Sequence, residues 1–125
     1  MFNPEYNKIN GSYIVDIMLL GESVATFESH SIEDAVKTYI EFEEDFFKFS
    51  FTNEIKQLRL ENAKLILQLK EQADENLFNK IVNLNIKLQA LYISTGFDRL
   101  KRQHLDEYKT QVISEIEELG GELDG

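Results

Sequence analysis

The most regular hydrophobic pattern in the chain runs from Glu54 to Ile93. Its inward candidates are Ile55, Leu58, Asn62, Leu65, Leu69, Ala73, Leu77, Ile81, Leu84, Leu88 and Leu91, separated throughout by three or four residues. That is the period of a straight α-helix. Neither Gly nor Pro occurs between Gly21 and Gly96, so nothing local forces a stop, and the pattern predicts one long helix over about residues 54–94. At about 1.5 Å per residue it would extend roughly 60 Å. A compact domain of this size does not need that length, so the excess surface calls for cover from the rest of the chain or from another molecule.

The two halves of the stretch differ in phase. Ile55, Leu58, Leu65 and Leu69 take the a and d positions of a heptad, with Asn62 at a, where a polar residue fixes register and oligomer state in parallel coiled coils. Leu77, Ile81, Leu84, Leu88 and Leu91 form a second seam, offset by five residues, so no single coiled coil runs through both. A turn at Asp74-Glu75-Asn76 would also reconcile the seams, but the uninterrupted period favours the straight helix. From Asn76 to Phe97 there is no acid, and Lys80 and Lys87 are the only charges. Such a segment is expected to be covered on more than one side, by the final helix and by a second copy. Asn62, Leu77, Ile81, Leu84, Leu88 and Leu91 are therefore the expected interface of a homo-oligomer, most simply a two-fold dimer.

Upstream, Asn10-Gly11 is a strong hairpin signal, because both central positions of a type I′ turn need positive φ. It joins Glu5–Ile9 to Ser12–Leu20, and a second turn at Gly21-Glu22 returns the chain as Ser23–Glu28. With Leu20 opposite Ser23, one face carries Val15, Ile17, Leu19, Val24, Thr26 and Glu28, and the other Ile14, Met18, Leu20, Ala25 and Phe27. Asp16, mid-strand, reads as a carboxylate at the margin of a small sheet. Ser31 then caps a helix from Ile32 to about Lys48, with Asp34 three residues on. Ile32, Ala35, Tyr39, Phe42, Phe46 and Phe49 form its apolar stripe, widened by Val36, Ile40 and Phe47.

Thr52 or Asn53 caps the long helix. Thr95 and Asp98 are expected to form a capping pair for a last helix with the stripe Leu105, Tyr108, Val112, Ile116 and Leu119, ended by Gly120-Gly121. The expected class is thus α+β, mostly α: a three-stranded antiparallel β-meander followed by three helices, the middle one long. All 125 residues form one domain by the size prior. Its parts are the meander (5–30), an acidic helix (31–49), the central helix (53–94), the C-terminal helix (97–120) and a tail (121–125).

Charge narrows the function classes. The net charge of −10 is uneven: residues 1–50 hold ten acids against three lysines, residues 51–110 eight acids against ten bases, and residues 111–125 five acids and no base. Direct binding to nucleic acid or anionic lipid needs clustered Lys and Arg, which this balance disfavours. A partner with a basic surface is favoured instead. Glu41, Glu44 and Asp45, interleaved with aromatics, are the candidate partner surface, although a solvated helix face accounts for the same acids. Arg99, Lys101 and Arg102 form a basic cluster, a candidate contact for an anion or an acidic partner, opposed to the dipole at a helix start.

The chain has no cysteine, which excludes disulfides and thiolate chemistry. It has no apolar run approaching the ~20 residues that span a membrane and no signal-peptide pattern at its start, so the expected location is cytoplasmic. His30 and His104 have no partners at triad or metal-ligand spacing, and no glycine-rich phosphate loop is present. No cofactor, metal or catalytic residue is expected. The expectation is a non-enzymatic protein–protein interaction module, a helical oligomer acting as adaptor, assembly chaperone or small regulatory factor. The competing reading is an acidic inhibitor that mimics nucleic acid, of the kind phages use in counter-defence.

Overall fold

A computed structural model describes residues 2–19 and 21–120, and shows an antiparallel sheet followed by four helices. Strands β1 (Phe2–Ile9), β2 (Ser12–Leu19) and β3 (Glu22–Ser29) lie in the order β1-β2-β3. The α+β meander is as expected. Asn10 and Gly11 take φ of 51° and 79°, the left-handed pair that a type I′ hairpin requires. Leu20 and the expected tail 121–125 lie outside the described residues.

The pairing of β3 differs from expectation by one residue. Val15 faces Phe27 and Ile17 faces Ala25, after which Met18 pairs with Ser23, leaving Val24 as the extra residue of a bulge. A one-residue shift moves every side chain to the opposite face. Ala25 and Phe27 therefore join Val15 and Ile17 on the buried face, while Thr26 and Ser23 join Asp16 on the open one. There the Thr26 and Ser23 hydroxyls donate to Asp16 Oδ1 at 2.6 and 3.3 Å. The register thus packs two half-buried apolar residues against the core and supplies partners for the mid-strand acid.

Helix α1 (Ile32–Phe47) packs on the buried face of the sheet. Ser31 Oγ accepts from the Asp34 N–H at 3.1 Å, the expected N-cap. Its buried stripe is Ile32, Ala35, Val36, Tyr39, Ile40, Glu43 and Phe47. Phe46, expected inside, is 43% exposed, and Phe47 takes the core position because a four-residue step from Glu43 reaches it. Helix α2 (Asn53–Glu71) is capped by Thr52, whose hydroxyl accepts from Ile55 N–H at 3.3 Å. Lys70 at its far end donates to the Tyr6 carbonyl and to Asn7, which ties α2 to β1.

The expected long helix is two helices. α2 stops at Glu71, and α3 (Glu75–Ser94) folds back beside it, so that Arg59 near the start of α2 reaches Tyr92 near the end of α3. Asp74 makes the reversal possible locally: its side chain accepts from Asn76 N–H at 2.9 Å and its carbonyl from Phe78 N–H at 3.1 Å. An acid that satisfies the free donors of a new helix start stabilises a break that no Gly or Pro marks. The offset of the two seams is the trace of this turn, since each half then presents its own apolar face to the core.

Helix α4 (Phe97–Gly120) leaves α3 through Gly96, which has φ of 86°. The Thr95 hydroxyl donates back to the Leu91 carbonyl at 2.7 Å and does not cap α4, contrary to the expected pair with Asp98. Phe97 is 1% exposed. Its ring lies 4.7 Å from that of Phe51, 5.2 Å from Phe47 and 5.3 Å from Tyr92, all edge-to-face, and 5.2 Å from the tilted ring of Phe49, a cluster joining α1, α3, α4 and the α1–α2 loop. No helix among the described residues is long and apolar enough to cross a membrane.

Asp74→Ala should lower stability by about 1 kcal/mol through loss of the cap, and Asp74→Asn should recover most of it. Urea denaturation of the three proteins checks this; equal midpoints would mean that the turn is held by packing alone.

Candidate functional site

Three helices and one strand bring a polar cluster together inside the fold. On α1, Tyr39 and Glu43 are four residues apart and share a face; on α2, Arg59 and Asn62 are three apart and do the same. Tyr92 comes from α3 and Tyr6 from β1. Arg59 Nη2 donates to Glu43 Oε2 at 3.2 Å, and their side chains are only 10% and 6% exposed. Arg59 Nε donates to the Tyr92 hydroxyl at 2.7 Å. The guanidinium carbon lies 4.3 Å from the centre of the Phe51 ring, 5.3 Å from Tyr92 and 5.8 Å from Tyr39, within cation–π range of all three.

Burial opposes the charge of Arg59, but the Glu43 carboxylate and the Tyr92 hydroxyl outweigh it and hold the guanidinium pKa above its ordinary value. Burial pushes the Tyr6, Tyr39 and Tyr92 phenols up; Glu43 adds to the shift at Tyr39, while Arg59 works against it at Tyr92. The cluster is therefore a fixed cation ringed by protonated phenols. It surrounds a buried charge with hydrogen-bonding groups. Two of its buried atoms, Arg59 Nη1 and Asn62 Oδ1, have no hydrogen-bond partner. Both residues line a cleft of about 290 Å³, with Lys101 of α4 also on its wall.

A second feature lies on the outside. Ile81, Leu84 and Leu88 bury the inner face of α3, while Phe78, Val82, Ile86 and Ile93 are 56%, 41%, 64% and 62% exposed on the opposite face. At about 100° per residue these four fall on one side. Farther along, α4 exposes Ile113, Ile116 and Leu119.

The residues singled out by sequence are placed as follows. Leu84 and Leu88 belong to the core and Leu91 packs against it, Ile81 is buried and Leu77 half-buried, so the expected oligomer seam is covered by the chain itself. Asn62 sits at the internal cleft with Leu88. Glu41 and Asp45 are exposed on α1, but Glu44 turns inward, accepts from Phe51 N–H at 2.9 Å and lies 3.8 Å from Lys56. It anchors the α1–α2 loop, and the three acids do not form one patch. Arg99 and Arg102 line an open groove along α4, with Arg102 paired to Asp98 at 2.7 Å, whereas Lys101 points to the other side, toward the Arg59 cleft.

Sequence reading missed Glu43 and Arg59. Both carried a signal: Glu43 occupies the core stripe between Tyr39 and Phe47, and Arg59 lies four residues from both Ile55 and Ala63. Two opposite charges at core positions of successive helices are candidates to pair. Among the described residues, no three His, Asp or Glu side chains are grouped as a metal site would require.

Glu43→Gln should cost about 3 kcal/mol, because Arg59 is left charged, buried and unpaired, while the double change Glu43→Leu with Arg59→Met should recover most of that loss. Denaturation midpoints of the single and double variants decide this. A single change costing under about 1 kcal/mol would show the pair to be hydrated in solution. The tyrosines add a pH dependence. Unfolded, they ionise near 10; folded, they hold their protons to higher pH. Their contribution is fully present below that value and is lost as pH rises above it. Stability should therefore fall above pH 10, and Tyr39→Phe should flatten the slope.

Compared with known protein-family models, with curated proteins and with solved structures, the chain matches none.

Proposed function

We propose that this chain is a non-enzymatic protein–protein interaction module that works as a homodimer joined through the outer face of α3. The observation that carries this reading is the uncharged apolar stripe Phe78, Val82, Ile86 and Ile93, exposed on a segment without a single acid. A chain of net charge −10 repels its copy, and the repulsion is least where that face meets itself.

The spacing also suits self-association. With two α3 helices antiparallel about a two-fold axis at Ile86, each Ile86 meets its counterpart. Val82 faces the exposed Ala90 of the copy, and Phe78 faces Ile93, because these pairs lie at equal or nearly equal distances from the axis. The seam expected from sequence serves the core of each subunit, and the dimer uses the reverse of the same helix.

In such a dimer the second half of α4 stays available. Its exposed Ile113, Ile116 and Leu119 alternate with Glu115, Glu117 and Glu118, a surface complementary to an apolar groove with a basic rim. That fits an adaptor or small regulatory factor. Nucleic-acid mimicry finds less support on α1: a mimic needs a rigid outward row of carboxylates, and Glu43 and Glu44 turn inward.

Light scattering coupled to gel filtration should give twice the 14.6 kDa mass of one chain. Ile86→Glu should halve that mass without changing the circular dichroism, since the residue is exposed in the single chain. A wild-type mass of one chain at micromolar concentration would overturn the reading.

A further inference from the structure

We propose that the cleft walled by Arg59, Asn62, Leu88, Tyr92 and Lys101 is a binding site for a free α-amino acid with an apolar or aromatic side chain. Three observations converge on that chemistry. First, two buried polar atoms are left over. Arg59 Nη1 is a donor seeking an acceptor, and Asn62 Oδ1 an acceptor seeking a donor. Buried groups of this kind are rare in folded chains and call for a partner. The Arg59 side chain is nine-tenths buried, and its other two nitrogens are already engaged by Tyr92 and Glu43. The leftover pair is thus a specific demand, one acceptor and one donor, from residues three apart on one helix face.

Second, the walls select charge. Arg59 and Lys101 supply two cations against the single carboxylate of Glu43, in a chain whose net charge is −10. The cleft walled by Glu33, Lys37, Glu41, Glu44 and Lys56 has the opposite balance. An anionic group is favoured at the Arg59 cleft, and because Glu43 and the Asn62, Asn85 and Gln89 amides also reach its wall, a cationic donor beside that anion is accommodated too. A carboxylate next to an ammonium meets both requirements.

Third, the remaining wall is apolar and aromatic. Leu88 and the rings of Tyr39 and Tyr92 face the same space, which suits an apolar side chain of the ligand. A volume of about 290 Å³ is small for a drug-sized molecule and adequate for a single amino acid. Arg59 and Asn62 both line this cleft, and each carries one of the two unpartnered atoms.

The test is an NMR titration of the ¹⁵N-labelled full chain with L-phenylalanine and L-leucine, with 3-phenylpropionate (no ammonium) and phenethylamine (no carboxylate) as controls. Saturable shifts with either amino acid, including the Asn62 side-chain amide, and about tenfold weaker binding of both controls are expected. Asn62→Leu should weaken binding about tenfold while the spectrum stays that of a folded chain. Lys101→Gln, a change at the cleft mouth, should weaken it a few-fold and reduce its salt dependence. Absence of saturable shifts up to roughly 10 mM amino acid, equal binding of a control, or wild-type affinity in Asn62→Leu would each overturn the assignment.

Discussion

Arg59 places a constraint on every element around it. Its charge is taken out of water, which costs several kcal/mol unless geometry supplies a partner. Glu43 supplies one, but only if α1 lies in the register that turns its acid toward α2. Tyr92 supplies a second, and only if α3 has doubled back far enough for its last turns to stand beside the first turns of α2. Phe51 caps the guanidinium from the loop between α1 and α2, and the Glu44 carboxylate holds that loop through the Phe51 N–H. An ion pair of this kind contributes little net stability compared with apolar groups of the same shape. What it contributes is selection: shifted registers leave a buried charge alone, so one arrangement of three helices stands apart from its neighbours in energy.

The doubling back of α3 also decides which surfaces the chain has left to offer. Helix α3 carries apolar residues on two sides and Asn79, Lys80, Asn83 and Lys87 on a third. The hairpin with α2 covers one, through Leu84 and Leu88, and leaves Phe78, Val82, Ile86 and Ile93 facing out. A straight helix would have offered the opposite set. The same amino-acid composition thus leaves apolar surface exposed in both cases, through different residues.

Much of the architecture was legible because it rests on short-range chemistry. Asn10-Gly11 admits few backbone conformations, and Ser31 and Thr52 satisfy helix starts within three residues of themselves. The break after Glu71 was harder to see because Ala73 keeps the three-and-four spacing intact across the turn, and only the phase of the flanking seams and Asp74 betray it. The register of β3 escaped for another reason. It goes with a bulge at Val24 that lets Thr26 and Ser23 reach Asp16 and packs Phe27 against the core, contacts that lie outside the strand itself. Glu43 and Arg59 were hidden by composition: in a chain with twenty-three acids, one acid at a core position is easy to overlook until its spacing is checked against the stripe.

The chain order of the elements has a consequence for how the fold is reached. Each strand pairs with the next in sequence, α2 with α3, and α3 with α4. Contacts between neighbours along the chain close small loops, whose entropic cost is low, and a topology dominated by them has a low contact order and a fast route to the native state. Contacts between elements distant along the chain remain where α1 meets β2 and α4 and where α2 meets β1, at which Lys70 reaches back to Tyr6 across 64 residues. Strand β1 is at once an edge of the sheet and, through Pro4 and Tyr6, part of the wall of the Arg59 cleft, so its docking ties the meander to the helical hairpin.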